Sequence, residues 1–241
     1  GGTTAKGALV TGYQPLKQYD MEVARLHDFK RGSGLPVKVP VIDMVEIGSG
    51  GGSLAEVDER GLIRVGPRSA GADPGPACYG QGGREATTTD ADVVLGLIDP
   101  DTFLHGRMKL DSAKAEAAVG HLAKQLNLGL VETAAGISRI VDSKMADLIR
   151  RMSVLRGFDP RHFSCFAFGG GGPVHAAAVA SEAGIGKVII PLPKVAALWS
   201  ALGAVASDVS HVYQDTTEFL LPASGSDVTP NRNDLSGPPY W

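Results

Sequence analysis

Four consecutive glycines, Gly169, Gly170, Gly171 and Gly172, follow the apolar run Ser164 to Phe168 and precede Pro173 and an alanine-rich stretch. That order predicts a buried strand, a glycine turn and a helix start. The chemistry it suits is the holding of a phosphate or nucleotide. Glycines let the backbone come close to a ligand, and the first turn of a helix offers unpaired N–H groups and a positive dipole end. Proline is well placed at the first helical position, where its missing N–H costs nothing. A second candidate opens the chain: Gly1, Gly2, Thr3 and Thr4 form a glycine–threonine turn. Such a turn either presents N–H groups and hydroxyls to a phosphate or simply reverses the chain. A third is Gly48-Ser49-Gly50-Gly51-Gly52-Ser53, with Glu46 just before it, read either as a ligand-facing loop or as a connector.

Three carboxylates sit beside glycine- or threonine-rich turns and are candidates for substrate or metal contacts. Glu46 and Asp73 are taken for catalysis and Asp90 for a metal. The competing reading of Glu46 and Asp73 is a surface carboxylate, and that of Asp90 is a helix cap, since Thr87-Thr88-Thr89-Asp90 precedes an apolar run. Cys78 has no base placed beside it by sequence, so a buried inert thiol is weighed against a nucleophile. His175, at a helix start, reads as packed or near a ligand rather than as a general base.

The elements that must position these residues follow from periodicity and punctuation. Val39 to Ile47 is a β-branched run, and Leu54–Asp58 and Leu62–Val65 alternate around Glu59-Arg60-Gly61, a hairpin signal. Residues 25–39 read as an exposed loop, and Ser69 to Gly83 as a glycine–proline loop either disordered or held rigidly for function. Helices are expected over Val93–Ile98, 112–127, 131–156, 173–184 and Trp199–Val205. The longest carries Ile137, Ile140, Val141, Met145, Leu148, Ile149 and Met152 on one stripe. Strands are expected over Arg161–Phe168, Lys187–Ile190 and Ser207–Tyr213. From Pro222 the chain is polar and turn-rich, a linker or tail. A β-rich first part followed by long helices and short βαβ pieces makes an α/β (mixed α+β) class.

Composition narrows the field. The 241 residues are 43% hydrophobic and 20% charged with a net charge of −3, which suits a globular protein and gives no basic footprint for nucleic acid. No apolar run reaches the roughly 18 residues of a membrane span, and no signal peptide opens the chain. The two cysteines, Cys78 and Cys165, offer neither a disulfide framework nor zinc spacing, so a cytoplasmic location is expected.

Taken together, GGTTAK at 1–6, EIGSGGGS at 46–53, VGPRSAGADPGPACYG at 65–80, TDADVVLG at 89–96 and AFGGGGPVHA at 167–176 resemble the hydantoinase A and 5-oxoprolinase family from Gly1 to about Asp208. Relatives of that family include ATP-dependent acetone and acetophenone carboxylases. The resemblance implies an actin, Hsp70 and sugar-kinase-like fold, here one ribonuclease-H-like lobe with a β-rich insertion. It implies a catalytic region over 1–221 and a mobile tail over 222–241. By the same resemblance Gly1, Gly2, Thr3 and Thr4 are a phosphate-binding hairpin, and Gly169 to Gly172 an adenosine loop. The chemistry implied is phosphoryl transfer from ATP, with Mg²⁺ or Mn²⁺, to a carbonyl or amide oxygen of a small substrate of hydantoin, 5-oxoproline, acetone or acetophenone type. Catalysis of that kind rests on positioning and charge neutralisation. The implied partners are an upstream lobe and a hydantoinase B-like second subunit.

The sequence departs from the family pattern in four places. The Asp that usually precedes the two glycines is missing, and so is the whole first lobe. Gly171 stands where relatives often carry Ala, and Pro191 to Gly203 lacks the usual PGV while keeping SALG. The last feature, with GGTTAK, leans toward the carboxylase branch. The missing lobe and Asp favour a competing expectation, a non-catalytic scaffold or fragment of such a complex.

Overall fold

The structure, a computed structural model, describes residues 2–24, 26 and 32–208. The compact unit spans Gly1–Ser207. The expected strand over Ser207–Tyr213 and the tail over 222–241 fall, but for Ser207 and Asp208, outside the described residues.

Eight short strands occupy the described part of the first 47 residues: β1 (Ala5–Ala8), β2 (Val10–Thr11), β3 (Gln14–Pro15), β4 (Lys17–Gln18), β5 (Met21–Val23), β6 (Leu35–Val37), β7 (Val41–Ile42) and β8 (Met44–Ile47). They pair in a nested order. β1 lies antiparallel to β8, β4 to β7 and β5 to β6, while β2 and β3 form a side hairpin. The result is a long two-stranded arm. It corrects the reading of residues 25–39 as loop, because β6 pairs across the arm with Val23 opposite Leu35 and Glu22 opposite Pro36.

The next pair is the expected hairpin, β9 (Ser53–Val57) with β10 (Ile63–Ser69). Its turn is tied by Asp58, whose Oδ1 accepts from the N–H groups of Arg60 and Leu62. Three helices cover it. α1 (Thr88–Val94) starts five residues before the expected Val93, because Thr87 and Asp90 form a reciprocal capping box. α2 (Ser112–Leu126) is capped by Asp111 and ended by Asn127 in the left-handed region, at φ 54°. α3 (Leu130–Ser153) runs into a 3₁₀ turn and stops at Gly157, φ 81°. The core lies between the hairpin and these helices and holds Ala55, Val65, Ala91, Val119, Leu122, Ala134, Ile137 and Val141. Of the apolar stripe of α3, Ile137, Val141, Leu148 and Met152 are buried and Ile140, Met145 and Ile149 partly so.

α3 also carries the arm. Gly7 faces it, and a Cβ there would collide with Met152 Sδ. Arg156, just past α3, pairs with Asp43 at 2.6 Å, and both are partly buried. On its other side α3 packs against α4 (Gly172–Ala183). α4 belongs to a small parallel unit of β11 (Cys165–Phe166) and β12 (Val188–Ile189), with Cys165 opposite Val188. β11 is much shorter than the expected Arg161–Phe168, because Pro160–His162 is a 3₁₀ turn capped by Asp159. Cys165 and Val188 face Ala180, Ala183 and Ile185, whereas Phe166 and Ile189 are 42% and 43% exposed. α5 (Pro193–Ala196) is an element the sequence reading lacks; α6 (Trp199–Ala206) is expected, and its Trp199 packs against Phe166 with the rings tilted and their centres 5.2 Å apart.

Candidate functional site

The two glycine motifs nearest the start of the chain, Gly1–Thr4 and Gly48–Ser53, meet. Gly52 N–H donates to Gly2 O at 2.6 Å, and Ser69 Oγ lies 3.5 Å from Thr3 Oγ1. The Gly48–Ser53 loop closes on itself, with Gly50 N–H donating to Ser53 Oγ at 2.9 Å and Ser53 N–H to Gly50 O at 3.0 Å. Gly51 O then accepts from both the N–H and the hydroxyl of Thr89, at 2.8 and 2.9 Å, which fixes the loop to the start of α1. Packing demands the glycines here. A Cβ on Gly51 would sit 2.7 Å from Thr89 Oγ1, and one on Gly52 2.9 Å from Ser69 Oγ and 3.1 Å from Gly2 O. The loop is a rigid shelf under Gly2 and Thr3, not a flexible connector. Thr4 is partly buried and Gly1 lies outside the described residues.

The carboxylate expected at a metal does something else. Asp90 is wholly buried. Its Oδ1 accepts from Cys78 N–H at 2.8 Å, and its Oδ2 from Ala77 N–H, Thr87 N–H and the Thr87 hydroxyl at 3.2, 3.0 and 2.7 Å. Both oxygens are taken up in holding the Ser69–Gly83 loop against α1, so the helix-cap alternative describes the geometry. That loop is held rigidly from Gly75 to Cys78, all buried, while Asp73 is exposed on it. Cys78 is fully buried, and burial together with the Asp90 carboxylate drives its thiol far above the usual range, as an inert structural cysteine requires. Glu46 is half-exposed and pairs across the arm with Lys6 at 3.4 Å. Among the described residues no group of three or more His, Cys, Asp or Glu is arranged to hold a metal ion.

A buried ionic cluster joins three helices. His175, in the first turn of α4, has Nδ1 2.9 Å from Asp142 Oδ1 of α3 and Nε2 3.5 Å from Asp92 Oδ2 of α1. His175 and Asp92 are 3% and 2% exposed, Asp142 9%. Burial alone would push the imidazole down, but the hydrogen bonds to Asp142 and Asp92 outweigh it and hold the pKa up at about 9. The ring is therefore an imidazolium at neutral pH. Burial in turn pushes the Asp92 carboxyl up, and its Oδ1 has no hydrogen-bond partner. Asp92 and Asp142 were not among the expected site residues. The signal was present in Asp142, an acid within the buried stripe of α3, which needs a partner there.

The glycine run differs from the shelf. Gly169 has φ 87° and donates its N–H to Ala196 O at 2.8 Å. A Cβ on Gly170 or Gly172 would meet nothing within 4 Å, so packing does not explain these glycines. The start of α4 has no side-chain cap, no acid in its first turn, and a proline among its first two residues. An open, side-chain-free surface at an uncapped helix start fits a phosphate-bearing ligand. Two surface grooves, one lined by Lys109 and Asp111 and the other by Glu56, Arg84 and His121, include no glycine-loop residue. The candidate site is built of backbone loops.

The model of the hydantoinase/oxoprolinase family matches residues 1–213. The chain is 44% identical over 193 residues to the acetophenone carboxylase gamma subunit of Aromatoleum aromaticum, covering 79% of this chain and 26% of that one. Among solved structures, nucleotide-free acetone carboxylase, from work on ATP-dependent acetone carboxylation, superposes with a TM-score of 0.74 at 33% identity, over 86% of this chain and 28% of that one. The ATP-dependent caprolactamase of Pseudomonas jessenii superposes with a TM-score of 0.67 at 39% identity, over 76% and 26%. The mixed α/β fold expected from the sequence is thus that of these enzymes. The chain spans less than a third of the length of the relatives it matches. By sequence and by fold, the chain belongs to the hydantoinase/oxoprolinase family.

Proposed function

We propose that this chain forms one wall of the nucleotide site of an ATP-dependent amide hydrolase or ketone carboxylase. The enzyme transfers the γ-phosphoryl group to a carbonyl or amide oxygen of a small substrate of hydantoin, lactam, 5-oxoproline or ketone type. The observation that carries this reading is the open glycine surface at Gly170 and Gly172 on an uncapped helix start. There the free N–H groups would bind nucleotide, while Gly2, Thr3 and Thr4, seated on the Gly48–Ser53 shelf, would face phosphate oxygens. ATP supplies the activating phosphoryl group; the residues of this chain orient it and neutralise its charge. Mg²⁺ or Mn²⁺ would ride on the phosphates with one or two protein oxygens, as such ions commonly do. Of the carboxylates, exposed Asp73 suits a metal or substrate contact better than Glu46, whose charge is already paired.

The remaining elements of the site would come from the rest of a longer polypeptide and from a hydantoinase B-like second subunit. In this reading residues 1–221 are the catalytic region and residues 222–241 a polar tail or linker. A cytoplasmic setting agrees with two unpaired cysteines. Among the described residues no helix is long and apolar enough to cross a membrane.

The test is calorimetric titration of MgATP into the complete polypeptide, wild type and Gly170→Ala. Wild type is expected to bind and the variant to bind about tenfold more weakly, a loss of about 1.4 kcal/mol, at unchanged stability. Failure of the wild type to bind ATP, alone or with its partner subunits, sinks the proposal and leaves the scaffold reading. Phosphate release screened against hydantoins, lactams, 5-oxoproline, and ketones with bicarbonate then identifies the substrate.

A further inference from the structure

We infer that His175 is a positioning residue of the nucleotide site, an inference resting on the reading above: through Asp92 and Asp142 it sets the glycine run in fixed register with the Gly48–Ser53 shelf. The contacts form an unbroken line. Gly2 rests on Gly52, and Gly51 is held by Thr89 at the start of α1. One turn along α1 Asp92 meets His175 Nε2, and Asp142 of α3 holds Nδ1 of the same ring. His175 lies three residues after Gly172, in the first turn of α4. Whatever displaces this ring displaces the helix start that carries the glycines.

Stability alone does not account for the cluster. A buried ion pair is often no better than well-packed apolar side chains, because desolvation offsets the attraction. Here the balance is poorer still, since Asp92 Oδ1 is buried without a partner and the Nε2 contact is 3.5 Å. What such a cluster gives that an apolar contact does not is direction. A charged ring held at both nitrogens allows one arrangement of α1, α3 and α4, whereas small apolar contacts such as Ala176, Val179 and Ala180 permit sliding. Rigid walls at a phosphate matter because transfer requires the donor to be placed to within a fraction of an ångström.

The experiment uses His175→Asn and His175→Gln in the complete polypeptide with its partner subunits. Asn puts an amide nitrogen near the place of Nδ1 and Gln near that of Nε2, so each keeps one tie and a polar, similarly sized side chain. Two readouts are taken: amide hydrogen exchange across Gly169–Ala176 without nucleotide, and the steady-state constants for ATP. In both variants exchange of that segment is expected to rise about tenfold or more, with α2 unchanged. KM for ATP is expected to rise by a similar factor while kcat stays within about twofold. Unchanged exchange and KM in variants that are merely less stable would overturn the inference, as would a fall in kcat at constant KM. The exchange readout needs no nucleotide. Wild-type protein that fails to bind ATP overturns the nucleotide reading, while a glycine run insensitive to His175 overturns this one.

Discussion

Replacing Asp90 by Asn tests whether its carboxylate holds the protein together or holds a ligand. The four hydrogen bonds it accepts divide unevenly, one at Oδ1 from Cys78 N–H and three at Oδ2 from Ala77 and Thr87. The amide would turn its carbonyl to the busier position and its NH₂ toward Cys78 N–H. One bond is lost with a buried donor left unsatisfied, about 1–3 kcal/mol, and the remaining three fall from charge-assisted to neutral strength. The sum is about 3–5 kcal/mol, a large part of the roughly 5–15 kcal/mol that stabilises a domain. With a urea slope of about 2 kcal/mol/M, the unfolding midpoint should drop by about 1.5–2.5 M. Faster amide exchange across the Ser69–Gly83 loop should accompany it. An unchanged midpoint combined with lost metal-dependent ATP binding would refute the structural reading and return Asp90 to the metal.

Other outcomes follow from particular contacts. The imidazole of His175, held up at about 9 against an ordinary 6.5, contributes stability that is complete below pH 6.5 and lost as pH rises through 9. At about 1.36 kcal/mol per pH unit the loss is about 3 kcal/mol, and urea unfolding across that window should show it and His175→Gln should flatten it. Cys78 should resist iodoacetamide at pH 8 in the native protein and react after unfolding, read by mass spectrometry, because its thiol is buried and pushed up. Gly52→Ala should lower stability by about 1–3 kcal/mol, since its Cβ would press on Ser69 Oγ and Gly2 O at 2.9 and 3.1 Å. Gly170→Ala, facing open space, should stay within about 0.5 kcal/mol of wild type, with thermal melts reading both variants.

The parts of this molecule that sequence made legible are those set by local rules. The β9–β10 hairpin is written in alternation around Glu59-Arg60-Gly61, and α2 and α3 in their apolar spacing and terminal glycine or asparagine. The arm was not legible, because β1 and β8 are partners through tertiary pairing alone, and β6 sits in a segment whose glycines and proline argue for loop. At the site, the glycine motifs stood out by composition, but their different duties did not. Gly51 and Gly52 answer to packing, whereas Gly170 and Gly172 answer to nothing inside the fold, and only coordinates separate the two. Asp90 was legible as a cap, but a capping carboxylate and a ligand carboxylate have the same sequence context, so sequence alone left both readings open. The Asp92–His175–Asp142 cluster joins three helices far apart in sequence, so no spacing rule finds it.

The nested arm also fixes an order of events in time. Of the three nested pairs, β5 and β6 are joined by the shortest connection, residues 24–34, and so meet at the lowest loop-closure cost of the three. Their pairing brings β4 to β7, leaving only Tyr19–Asp20 on one side and Lys38–Pro40 on the other. That in turn brings β1 to β8, so a long-range contact is reached in short steps and escapes much of the delay that distant pairings impose. Gly2 and Thr3 lie just beyond the last pair to close. The register of the glycine–threonine turn over its shelf is set where β1 meets β8, from Ala5 opposite Ile47 to Ala8 opposite Met44, and a one-residue slip of that pair would turn Gly7 away from Met152 and carry the phosphate turn out of place.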